Sequence, residues 1–84
     1  MNSNIRGACL QPAGPHFQRP SGDEVREVLH LAGFTAGQAS RAVGLGAQGD
    51  RTVRRWISEE SAIPYACWAL LCEFAGLGCI WKSD

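Results

Sequence analysis

Hydrophobic positions along this 84-residue chain recur at a helical period in four separate stretches. Val25, Val28, Leu29 and Ala32 stand at i, i+3, i+4 and i+7, one apolar face of an amphipathic helix. The run SGDE at residues 21–24 is a capping box: the serine oxygen accepts from a first-turn N–H and Glu24 reaches back. Gly33 ends the helix. The run TAGQ at residues 35–38 repeats the capping logic and opens a short helix of small side chains, Ala39, Ser40, Ala42 and Val43. Small residues let a neighbouring helix come close. Gly44 stops this second helix, Leu45 plugs the turn after it, and residues 46–49 read as a loop.

Asp50 is the expected N-cap of a third helix over residues 51 to about 59. Val53, Trp56 and Ile57 form its inner face, and Arg51, Thr52, Arg54, Arg55 and Ser58 point outward. A polar break at residues 59–61 precedes a fourth helix with Pro64 in its first turn. Ile63, Cys67, Leu70, Leu71 and Phe74 make one apolar stripe there, and Trp68, Cys72 and Ala75 widen it beyond what a single core requires. The apolar tail at residues 76–81 predicts a short extended segment. Residues 1–20 hold Pro12, Pro15 and Pro20 and show neither period, which predicts a flexible arm with at most local order around Phe17.

The fold class expected is all-α: a small helix-turn-helix bundle of four to five helices. Its units are a flexible N-terminal arm over 1–20, a helix-turn-helix core over 21–60, and a C-terminal helix and tail over 61–84 that forms a dimer interface. A chain of this size buries only about 60% of the surface its unfolded form exposes, so a partner subunit is a natural source of further burial. Trp68, Leu71, Cys72, Ala75, Ile80 and Trp81 are the residues assigned to that interface, since aromatic anchors on a broad apolar helix suit a subunit contact.

Four cysteines, Cys9, Cys67, Cys72 and Cys79, follow an N-terminus without an apolar signal run. This predicts a reducing, cytoplasmic location with thiols packed as small apolar groups. Their spacings are not those of a zinc site, and His16 and His30 lie far upstream, so no metal or other cofactor is expected. No nucleophile–base pair or phosphate-cradling glycine motif is present, and an enzyme is not expected. A membrane element over residues 61–81 is disfavoured by Pro64, Glu73, Gly76 and Gly78.

The second and third helices carry the functional signal. A helix-turn-helix needs a small residue facing its partner, then a residue tolerant of positive φ, an apolar residue after the turn, and two apolar anchors three apart. Ser40, Gly44, Leu45, Val53 and Trp56 fill those roles in order. The turn through residues 46–50 is about three residues longer than the ordinary motif, a small cost in loop entropy, and its Gln48 is open to either DNA or solvent. Although Lys and Arg balance Asp and Glu at eight each, the charge is polarised. Over residues 35–57, Arg41, Arg51, Arg54 and Arg55 meet only Asp50, a net of +3; residues 58–84 are net −3 and residues 1–34 neutral. Positive charge on the second helix of the pair is what a major-groove reader needs, and the arginine fork can grip guanine O6 and N7 or a phosphate.

The run DRTVRRWISEESAIPYACWALLCEFAGLGCIW, with PSGDEVREVLHLAGFTAGQASRAVGLG before it, resembles the KorC repressors of broad-host-range plasmids over roughly residues 17–82. That resemblance implies a homodimeric repressor that binds palindromic operators and controls plasmid maintenance genes. The expected contacts come from helix geometry. Arg54 and Arg55 reach base edges or flanking phosphates, Arg51 and Thr52 sit where the helix enters the groove, and Arg41 meets the backbone, with Gln48 added from the turn. The rival reading is a protein–protein adaptor whose helical pair docks a partner. No small-molecule substrate is expected.

Overall fold

A computed structural model describes residues 5–81, and every regular element among them is helical. After a 3-10 turn at Gly7–Leu10 come α1 (Gly22–Ala32), α2 (Ala36–Ala42), α3 (Gly49–Ser58) and α4 (Tyr65–Phe74). The helix starts follow the side-chain chemistry of the sequence. Ser21 Oγ accepts from the Glu24 N–H at 3.2 Å while Glu24 accepts from the Ser21 N–H at 2.7 Å. Thr35 and Gln38 make the same reciprocal pair at 3.2 and 2.9 Å. Gly33 closes α1 at φ 74°, a left-handed conformation in which a Cβ would be strained.

α1 packs on both α3 and α4, and α2 packs on α3. The shared core is built from Val25, Val28 and Leu29 of α1, Ala39 of α2, Val53 and Trp56 of α3, and Trp68, Ala69, Leu71 and Cys72 of α4. The start of α1 meets the end of α3 closely: the Gly22 N–H donates to Glu59 Oε2 at 2.7 Å, and a Cβ on Gly22 would run into the Ile57 carbonyl.

Two expectations are corrected here. The N-terminal segment is not a free arm over residues 5–20. Ile5 and Cys9 are buried, and the Trp68 indole N–H donates to the Cys9 carbonyl at 2.7 Å. The Tyr65 hydroxyl donates to the Gln11 carbonyl at 3.0 Å, with Phe17 set edge-on to the Tyr65 ring. The segment docks through single residues, so it has no apolar period to read; residues 1–4 lie outside the described part. The second correction concerns the tail. Residues 76–81 turn rather than extend, with Gly76 and Gly78 at φ 83° and 91°, and this tucks Ile80 into the core.

The docked segment is held by one buried carboxylate. Glu24 accepts from the Arg6 backbone N–H, from its Nε and from a terminal guanidinium nitrogen, each at 2.9 Å, as well as from Ser21. Burial alone pushes this carboxyl up. The hydrogen bonds from the Arg6 side chain, the Arg6 backbone and Ser21 outweigh it and hold the group at about 2.

Candidate nucleic-acid interface

α2, the turn and α3 form the helix-turn-helix pair. Ser40 is buried at the contact, and its Oγ is tied to the Gly37 carbonyl at 2.8 Å. Gly44 takes φ 80°, the Leu45 N–H returns to the Ser40 carbonyl at 2.8 Å, and Leu45 packs on the core. Val53 and Trp56 fix the inner face of α3 at 0 and 4% exposure. All five residues assigned to the motif therefore occupy their expected positions.

The start of α3 differs from the expectation of an Asp50 cap. Gln48 takes the N-cap place at φ 64° without a side-chain capping bond, and Gly49 is the first helical residue. The reason is the close approach of the helices. A Cβ on Gly49 would stand 2.7 Å from Ser40 Cβ and 2.8 Å from Leu45 Cβ, so only glycine fits where α3 meets α2. The small residue Ser40 and Gly49 are two halves of one contact. The turn is correspondingly shorter than the sequence suggested, and Asp50 falls inside the helix.

Once Val53 and Trp56 face inward, helical geometry sends the charged residues out. Arg51, Arg54 and Arg55 are exposed, Thr52 is half-buried beside them, and Arg41 and Gln48 are exposed on the flank. Arg54 pairs with Asp50 at 3.4 Å, and Arg55 approaches Glu60 at 3.9 Å. Arg41, Gln48, Asp50 and Arg54 border one cleft of about 470 Å³ between α2 and α3. Arg51 and Arg55, four apart, make the adjacent stripe. The six candidate contact residues thus lie on α3, its turn and the neighbouring end of α2.

The residues assigned to a subunit contact are mostly elsewhere. Trp68, Leu71 and Cys72 are fully buried in the chain's own core, and Ile80 is 5% exposed. Ala75 is half-buried and Trp81 is 43% exposed. The outer face of α4 instead presents Leu70 and Phe74, at 39 and 50% exposure, with Phe34 edge-on to Phe74 and Leu31 exposed on α1. α4 is apolar on nearly every side, so its period alone does not say which side faces in; the docked N-terminal segment decides it through Cys9 and Trp68.

Among the described residues, no group of three His, Cys, Asp or Glu side chains converges as a metal site, and no helix is long and apolar enough to cross a membrane. Cys9, Cys67 and Cys72 form no disulfide among the described residues, and the Cys79 thiol donates to Glu73 Oε1 at 3.2 Å. Burial pushes Cys9 up to about 11, assisted by the Glu24 charge, and Cys72 up to about 12, which makes both poor nucleophiles at neutral pH.

No family profile and no solved structure matches the chain. Two curated proteins of Escherichia coli do, each named transcriptional repressor protein KorC. One is 65% identical over 81 residues, covering 96% of this chain and 94% of the relative. The other is 60% identical over 82 residues, covering 98% and 95%. Such identity spans α1 to α4 and the docked N-terminal segment alike, and with it the chain belongs to the KorC family of transcriptional repressors.

Proposed function

We propose that the chain represses transcription by binding double-stranded DNA as a homodimer, with α3 in the major groove of each half of a palindromic operator. The observation that carries this reading is the outward display of Arg51, Arg54 and Arg55 on a helix locked from behind by Val53 and Trp56. Arg54 and Arg55 meet base edges or flanking phosphates, and Arg51 and Thr52 stand at the entry of the helix into the groove. Arg41 meets the backbone and Gln48 lies at the margin. Phosphate contacts set the register and base contacts set the sequence. Plasmid maintenance promoters are the targets in this reading, and occupying an operator there blocks the promoter.

A two-fold pair sets its reading helices about 34 Å apart, one turn of DNA, and so requires an inverted repeat. The surface suited to the pairing is the outer face of α4, where Leu70 and Phe74 are exposed one turn apart and Phe34 lies edge-on to Phe74; Trp81, also assigned to the contact, is exposed as well. Selection of bound duplexes from a random DNA pool by the purified chain tests the reading. An enriched inverted repeat is expected; a folded protein that enriches no sequence refutes it and favours the adaptor reading of the same helical pair.

A further inference from the structure

Between positions 35 and 57 the chain carries four arginines and one acidic residue, Asp50. On a surface that meets phosphates a carboxylate is repulsive, so its presence calls for a role beyond charge balance. Asp50 is the second residue of α3, half-buried, and its carboxylate pairs with Arg54 one turn later at 3.4 Å. Both residues border the cleft between α2 and α3.

Stability does not explain the pair. Its side chains are 70 and 45% exposed, and ion pairs so open to water contribute little. The pair does fix a direction. It draws the long Arg54 side chain back toward the N-terminal end of α3, the end that makes base contacts in helix-turn-helix docking. Arg55 is drawn the other way, toward Glu60 at 3.9 Å. Arg51 makes no ion pair among the described residues. The three arginines are therefore held differently, and Arg54 alone is aimed along the groove-entering end by a carboxylate that discourages a neighbouring phosphate.

Resting on the reading of α3 as the DNA-contacting helix, we propose that Asp50 is a positioning residue for sequence discrimination. It orients Arg54 for a bidentate contact with one guanine, and its charge weakens binding to all other sequences. The two effects have opposite signs, which separates them from a structural role. Removing Asp50 lowers the preference for one base pair and raises affinity for unrelated DNA. Loss of a favourable charge at a helix start lowers both together.

The test uses the full chain and the duplex enriched by wild type, with every single base change at each position and one unrelated duplex. Asp50→Ala and Arg54→Ala are expected to lose preference at the same base pair, each by at least about fivefold. The double variant is expected to lose no more than Arg54→Ala alone. Asp50→Ala is expected to bind the unrelated duplex more tightly than wild type, Asp50→Asn to follow it, and Asp50→Glu to recover part of the discrimination. Thermal unfolding of each variant confirms that it is folded at the assay temperature. An unchanged preference in Asp50→Ala and Asp50→Asn, or parallel loss of specific and unrelated binding, overturns the proposal while leaving α3 as the reader. If wild type enriches no duplex at all, both readings fall.

Discussion

Gly49 allows the closest physical test of how α3 is seated. Replacing it with alanine puts a Cβ 2.7 Å from Ser40 Cβ, 2.8 Å from Leu45 Cβ and 3.0 Å from Ser40 Oγ. The first two atoms are fixed to the backbone and cannot rotate aside, and the Ser40 hydroxyl is held by the Gly37 carbonyl. Carbon atoms settle at about 3.5–4.0 Å, so α2 and α3 must separate locally by roughly 1 Å. Overpacking of this kind costs about 1–3 kcal/mol. Alanine returns at most about 1 kcal/mol of helix propensity, and less at a first helical position. The expected net loss is about 1–2 kcal/mol, a fall in Tm of about 4–16 °C for a domain of this size. Gly37→Ala is the matched control. The nearest atoms to its new Cβ are 3.9 and 4.0 Å away, ordinary contact, so the propensity gain stands alone and Tm rises by a few degrees. Both variants are read by thermal unfolding monitored by circular dichroism. If Gly49→Ala is neutral or stabilising, the close seating of α3 on α2 is wrong.

Two further outcomes follow from the same packing. Glu24 stands at about 2 in the folded chain against 4.5 when free, so its contribution is complete above pH 4.5 and is lost as the pH falls toward 2. That gap corresponds to about 3 kcal/mol, reduced to about 2 because Arg6 is half open to solvent. Urea midpoints should show Glu24→Gln weaker by this amount at pH 7 and level with wild type near pH 2; an equal deficit at both pH values contradicts the assignment. Trp68→Phe removes the indole N–H from the buried Cys9 carbonyl and leaves a gap behind, a loss of about 2–4 kcal/mol. Because Trp68 belongs to the core of one chain, the folded variant should keep the wild-type dimer dissociation constant in equilibrium sedimentation, whereas a subunit-interface role would raise it.

The parts of this fold that could be read from sequence are those whose cause is local. The two capping boxes depend on residues three apart, and the structure realises both. The α2–α3 register could be read because Ser40, Gly44, Leu45, Val53 and Trp56 answer a steric need at fixed spacing. What could not be read depends on residues far apart. Glu24 scores as a capping residue, yet its other partner, Arg6, lies 18 positions away. Trp68 meets Cys9 across 59 positions, and without that contact the inner side of an apolar α4 is undetermined. Trp68, Leu71, Cys72 and Ile80, assigned to a subunit contact, lie in the core of the single chain, since large apolar residues mark a core and an interface equally well. Asp50 looked like a cap because acceptor side chains favour that place; the left-handed Gln48 and the small space at Gly49 moved the helix start two residues earlier.

The central claim is that α3 reads DNA through its outward arginines. The most direct test is the affinity of Arg51→Ala, Arg54→Ala and Arg55→Ala for the duplex that wild type selects, measured by fluorescence anisotropy over a range of salt concentrations. At least one variant should lose about 1–3 kcal/mol and relax discrimination at a single base pair. A variant that loses only a phosphate contact should weaken binding to all sequences and shallow the salt slope by about one. Three folded variants with wild-type affinity, specificity and salt slope would contradict the account.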